Sequence, residues 1–86
     1  MAVAIAVKAR YLARLRELAG VETEVMHVSI GSTLGDLYDA ARLRHSALPE
    51  RGSVRGAINL EFEDWEARVS DGDEVAFIPP VSGGLR

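Results

Sequence analysis

Of the residue types that carry chemistry, the sequence offers few: no cysteine, and two histidines, His27 and His45, in 86 residues. Without cysteine there is no disulfide framework, no thiolate zinc or iron–sulfur site and no thiol nucleophile. The histidines fall on separate predicted elements, so the ligand cluster of a metal site is missing and no metal is expected. The run Asp71-Gly72-Asp73-Glu74 lacks the ligand spacing of a calcium loop, and its Asp-Gly reads better as a turn. Ser82 has no companion base beside it, which argues against serine catalysis. What remains is the carboxy-terminal run Pro79-Pro80-Val81-Ser82-Gly83-Gly84-Leu85-Arg86. Two prolines stiffen its departure, and Gly83 and Gly84 carry no Cβ, so the backbone there could thread a channel too narrow for any side chain. From Pro79 to Gly84 an extended chain spans at most roughly 20 Å, enough to enter a neighbour's active site. A frayed terminus with ordinary glycines is the alternative reading.

The elements that would hold such a tail follow from periodicity. Val3, Ile5, Val7, Ala9 and Tyr11 alternate with Lys8 and Arg10 on the other parity, which predicts a half-buried strand over 3–11. Leu12, Leu15, Leu18 and Ala19 sit at helical spacing, and Gly20 supplies a left-handed stop, predicting a short helix over 12–19. Residues 24–30 alternate again, with Met26, Val28 and Ile30 on one side, and are expected to pair with the first strand. Ser32 or Thr33 caps a second helix with Asp36 in its first turn and Leu34, Leu37, Tyr38 and Ala41 on its apolar face. The polar stretch 42–52, with Pro49 and Gly52, reads as a variable loop. Beyond it come a strand candidate at 54–59, a loop or short hairpin at 60–66, a further segment at 67–69, a turn at 70–73 and a strand at 74–78 ended by Pro79 and Pro80. Trp65 and Tyr38 are expected to be partly in the core. Parity places Val75 and Phe77 inward, hence Ile78 and Leu12 outward near the tail, with Phe62 a further candidate for the same docking patch.

Composition sets the class. Hydrophobic content of 48% and 27% charged residues describe one small folded domain, with a mixed sheet and helices on one face: α+β. A chain this short buries only about 60–65% of its unfolded surface, so its apolar residues are committed to one core. A net charge of −3, from 10 basic and 13 acidic side chains, argues against nucleic acid as a partner. No apolar stretch approaches a membrane span, and the first residues have their charges after the apolar run, the reverse of a signal peptide, so a cytoplasmic protein is expected. Acidic residues cluster late, from Glu61 to Glu74; a solvated acidic face is preferred to a recognition patch.

Read together, DGDEVAFIPPVSGG at 71–84, RELAG at 16–20 and AIN at 57–59 resemble the small-subunit family of molybdopterin synthase, ubiquitin-like sulfur carriers with sister carriers in thiazole and cysteine synthesis. The likeness is weakest over 42–55. It implies a β-grasp domain over 1–78, with a sheet of four to five strands, and a flexible tail over 79–86. It further implies a carrier, not an enzyme: an adenylyltransferase of the ubiquitin-activating type uses ATP on the carboxylate of Gly84, sulfur replaces AMP, and the tail enters the synthase large subunit. The carrier needs no cofactor of its own. Gly84 and Gly83 would form the reactive end, and Leu12, Arg16, Phe62, Ile78, Pro79, Pro80, Val81 and Ser82 would meet the partner. A ubiquitin-like modifier or binding module is the alternative.

The departure from the family lies in Leu85 and Arg86, which follow the diglycine. While they are attached, Gly84 has no free carboxylate to adenylate. Three readings stand open: a tail-processing peptidase removes the pair, cloning added it, or this copy has lost carrier activity. Processing ranks first because a single cut in an exposed tail suffices.

Overall fold

Alternation in the first strand decides which side of the sheet becomes the core. The computed structural model describes residues 3–80. In it β1 (Ala4–Tyr11) buries Ile5, Val7, Ala9 and Tyr11, as expected from their parity. There follow α1 (Arg14–Ala19), β2 (Thr23–Ser29), α2 (Leu34–Arg44), a single 3₁₀ turn (Arg51–Ser53), β3 (Arg55–Ile58), β4 (Glu61–Glu63) and β5 (Glu74–Ile78). The five strands form one mixed sheet in the order β2-β1-β5-β3-β4. Its one parallel pairing, β1 with β5, sits at the centre, and the remaining pairings are antiparallel. Both helices bury their apolar faces (Leu15 and Ala19; Leu34, Leu37, Tyr38 and Ala41) against the same side of the sheet. This is the β-grasp arrangement the resemblance implied.

Local chemistry explains the boundaries. Thr33 caps α2 through a reciprocal box: its hydroxyl accepts from the Asp36 amide at 3.1 Å, and the Asp36 carboxylate accepts from the Thr33 amide at 3.0 Å. Gly20 ends α1 in the left-handed conformation, φ 81°, as its position predicted. The α1 start differs from expectation. Leu12 stays extended, its amide donating to the Phe77 carbonyl at 3.1 Å, and the turn into helix is made at Ala13, φ 52°. The sheet retains Leu12 because β5 still offers it a carbonyl. Ile30 falls beyond the end of β2 and is 65% exposed, not packed with Met26.

Two further expectations are corrected, and the open choice of loop or hairpin at 60–66 is decided for the hairpin. The 42–52 stretch is no mere polar loop: α2 continues to Arg44, and Leu48 is buried in the core. Residues 67–69 make only an isolated bridge, Thr33 with Arg68, although Val69 is buried. The 60–66 segment contains β4, reached from β3 by a tight turn in which Asn59 (φ 50°) and Leu60 (φ 75°) both take positive φ. Tyr38 is fully buried, while Trp65 is half-buried. Among the described residues no helix is long and apolar enough to cross a membrane.

The core centres on Phe77. Its ring lies 5.7 Å from Tyr11, 4.9 Å from Tyr38 and 6.5 Å from Trp65, centroid to centroid. Beside it the sheet must come close to α2, and Gly56 makes room: a Cβ there would meet Leu34 Cδ2 at 2.6 Å and Trp65 at 3.1 Å. Gly56→Ala is therefore expected to lower stability by about 1–3 kcal/mol, through overpacking, and urea denaturation measures it.

Candidate functional site

Register across the sheet assembles a surface on the side away from the helices. Ala76 of β5 faces Ala57 of β3, and Ala57 faces Phe62 of β4, so these side chains share one face with Ile78, two residues beyond Ala76. The parity of Phe62, undecided from sequence, is thereby settled. Arg55 pairs with Ile78, and its guanidinium lies over the Phe62 ring, 4.5 Å from the centroid. Phe62 is 59% exposed. Leu12 continues β1 beside this face. Expected as exposed aliphatics, Leu12 and Ile78 are only half-buried, because each is flanked along the sheet: Ile78 by Arg55 on β3, and Leu12 through its bond to β5. Ile78 is nonetheless outside the core.

Arg16 is exposed on α1, and its one ion pair among the described residues, 4.0 Å to Glu22, turns it toward the start of β2. Pro79 is half-buried and Pro80 exposed, so the chain leaves the sheet directly from its central strand. Val81, Ser82, Gly83, Gly84, Leu85 and Arg86 lie outside the described residues. The sequence reading missed Arg55, Ala57 and Ala76. Their signal was the alternation of Arg55 and Ala57 with Gly56 and Ile58, which gains meaning only once β3 is set beside β5.

The acidic turn is a scaffold. Asp71 accepts from the Ala6 amide at 2.8 Å, and Asp73 accepts from the Ser70 amide at 2.7 Å and from the Asn59 side chain at 3.0 Å. Asn59 in turn accepts from the Glu74 amide at 3.0 Å, and its own amide donates to the Glu74 carbonyl at 2.8 Å. The Ala57-Ile58-Asn59 segment thus pins the β3–β4 hairpin to the start of β5, which gives its place in the resemblance a physical reason.

A second polar group fastens α2 to the sheet. Glu24 receives the Tyr11 hydroxyl at 2.6 Å and Arg44 at 2.9 Å, and His45 Nε2 lies 2.8 Å from it. Burial pushes the Glu24 carboxyl up, but these three partners outweigh burial and hold it below the usual glutamate range. Burial, reinforced by the Glu24 carboxylate, pushes the Tyr11 hydroxyl far above its ordinary value. No buried side-chain nitrogen or oxygen among the described residues lacks a partner.

With the geometry in place, known proteins give a concordant answer. The ThiS family profile matches residues 9–84. The molybdopterin synthase sulfur carrier subunit of Chlamydomonas reinhardtii is 39% identical over 82 residues, covering 91% of this chain and 98% of that protein. The crystal structure of SAMP1 from Haloferax volcanii superposes with a TM-score of 0.82 at 32% identity, over 92% of this chain and 99% of that one. The BexX/CysO complex of Amycolatopsis orientalis contains a chain with a TM-score of 0.63 at 26% identity, over 91% and 99%.

The Glu24 group sets a pH dependence. A carboxyl held low by folding stabilises the native state above its unfolded value, and that contribution is lost as pH falls through the folded value. Glu24→Gln should cost about 1–3 kcal/mol at neutral pH. The gap between variant and parent should close in acid, as paired urea titrations at neutral and acidic pH would record.

Proposed function

The chain belongs to the ThiS family, and on that premise we propose that it is a sulfur carrier, the small subunit of a molybdopterin synthase, whose reactive atom is the carboxyl carbon of Gly84. The observation that carries this reading is the path of β5: a strand locked in the middle of the sheet runs through Pro79-Pro80 into the diglycine, and the family match extends to Gly84. Peptidase removal of Leu85-Arg86 would hydrolyse the Gly84–Leu85 amide and free the carboxylate. An adenylyltransferase would then join that oxygen to the α-phosphorus of ATP, releasing pyrophosphate. A sulfur donor would displace AMP and leave a thiocarboxylate. ATP is consumed by the activating enzyme, so the carrier holds no cofactor. It acts as a co-substrate and supplies no catalytic side chain.

The same reading assigns the sheet face a role. Phe62, Ile78 and Leu12, with Arg55 at the rim, form the surface on which the large subunit would dock, while Arg16 offers a polar contact and residues 79–82 conduct the glycines into its site. The CysO-containing complex supports a partner of this kind. Cytoplasmic location fits a carrier whose partners use ATP. A second reading, a ubiquitin-like protein modifier, is favoured by the likeness to SAMP1.

Two measurements test the proposal. The chain ending at Gly84, given ATP, an adenylyltransferase and a sulfide source, should gain the mass of one sulfur-for-oxygen exchange, and the chain ending at Arg86 should not. Lysine conjugates without that gain would favour the modifier. Independently, Phe62→Glu should weaken binding to the large subunit by about 10-fold or more, read by calorimetry, with the fold intact because the side chain is exposed.

A further inference from the structure

The two edges of the sheet are built differently. At one side β4 is three residues long and carries Glu61 and Glu63, which discourage another strand. At the other, β2 runs for seven residues, and from Val25 to Ile30 it holds no carboxylate, lysine or arginine. Hydrogen bonding to β1 defines its free side. The Glu22 carbonyl accepts from Tyr11 and the Ile30 amide donates to Val3, so even-numbered residues turn their backbone groups toward β1. Thr23, Val25, His27 and Ser29 therefore direct their amides and carbonyls outward, and of these groups only the Ser29 carbonyl is bonded among the described residues, accepting from the Ser32 amide at 3.1 Å.

Exposed apolar surface gathers at the same edge. Seven large apolar side chains are exposed among the described residues, and four of them, Val3, Val21, Val25 and Ile30, lie on β2, at its ends or on the residue bonded to Ile30. An edge with unpaired backbone, no guarding charge and flanking valines is a template for another strand.

We infer that β2 pairs antiparallel with β2 of a second copy of this chain, joining two sheets into one across a two-fold axis. With Met26 opposite its own copy, Val25 faces His27 and Thr23 faces Ser29, so every outward amide in that set meets an outward carbonyl, that of Ser29 accepting a second bond beside the one from the Ser32 amide. Charge suits this occupant. The antiparallel arrangement carries the acidic end of each β2 to the uncharged end of the other, and Glu22 and Glu24 are already paired with Arg10, Arg16 and Arg44. A strand pair of this length is small beside the roughly 1,200 Å² of a stable complex, so the dimer is weak. It leaves the Phe62 and Ile78 surface free, four and two strands away, and does not depend on sulfur-carrier chemistry.

Sedimentation equilibrium of the full chain from about 10 μM to about 1 mM tests the inference, with amide exchange followed at both limits. The mass should rise from monomer to dimer, and the amides of Thr23, Val25, His27 and Ser29 should slow about 10-fold at high concentration while those of β4 do not. Val25→Lys, at an exposed position, should weaken the dimer about 10-fold or more and remove that protection. A monomer throughout the range would overturn the inference, as would a dimer whose protection lies elsewhere or that Val25→Lys leaves unchanged.

Discussion

The parallel pairing of β1 with β5 is the constraint on which the rest of the structure depends. It places the last strand in the middle of the sheet, hydrogen-bonded on both sides, instead of at an edge where it could fray. Phe77 then fixes β5 from the helix side by packing among Tyr11, Tyr38 and Trp65. A buried aromatic of this kind contributes about 3–5 kcal/mol against truncation, a large share of what a domain of this size possesses. Ile78, the next residue, points to the opposite face, and the prolines follow. Pro79 and Pro80 therefore follow a strand paired on both sides, so they leave the sheet in a defined direction relative to the face that carries Ile78 and Phe62.

Polar contacts secure the two ends of this central pair. At the end where β5 begins, Asn59, Asp71 and Asp73 close the backbone of the hairpin and the turn around Ala6 and Glu74. At the end where it leaves, Glu24 collects Tyr11, Arg44 and His45, tying β1, β2 and the C-terminus of α2. Tyr11 belongs to both groups of interactions, since its ring packs on Phe77 and its hydroxyl meets Glu24. Its burial is tolerable only because the hydroxyl has that acceptor. Much of the chain's acidic excess thus serves as backbone acceptor or ion partner, and only part of it is a solvated face.

Much of this was legible in the sequence, and the limits have physical causes. Local periodicity identified β1, β2, α2 and β5, because each carries its own alternation or stripe, and local boundary signals stand at Gly20 after α1, Thr33 before α2 and Pro79 after β5. The signal in the tail is local as well, because Pro-Pro and Gly-Gly restrict or free the backbone whatever surrounds them, though residues 81–86 lie outside the described residues. What eluded reading depends on distant partners. Leu48 looked like loop because a leucine between Ala47 and Pro49 in a mostly polar stretch shows no period. Phe62 had no determinable parity because β4 is three residues long and its register is set by the Asn59-Leu60 turn. Arg55 was invisible as a site residue because its place opposite Ile78 and over Phe62 exists only when β3 and β5 are side by side. Glu24 gathers partners that lie up to 21 positions away, and no spacing rule announces such a hub.

The Arg55–Phe62 pair bears on how a surface can be both soluble alone and adhesive to a partner. An aromatic ring exposed on a flat sheet face invites unspecific association. Holding a guanidinium over the ring covers one of its faces with a cation whose N–H groups still face water while the chain is free. A partner that supplies a carboxylate for Arg55 can swing the guanidinium aside and uncover phenyl, Ala57, Ala76 and the edge of Ile78 as one apolar strip. A partner without such a carboxylate meets the cation first. Recognition on this face would then rest on a charge as well as on shape.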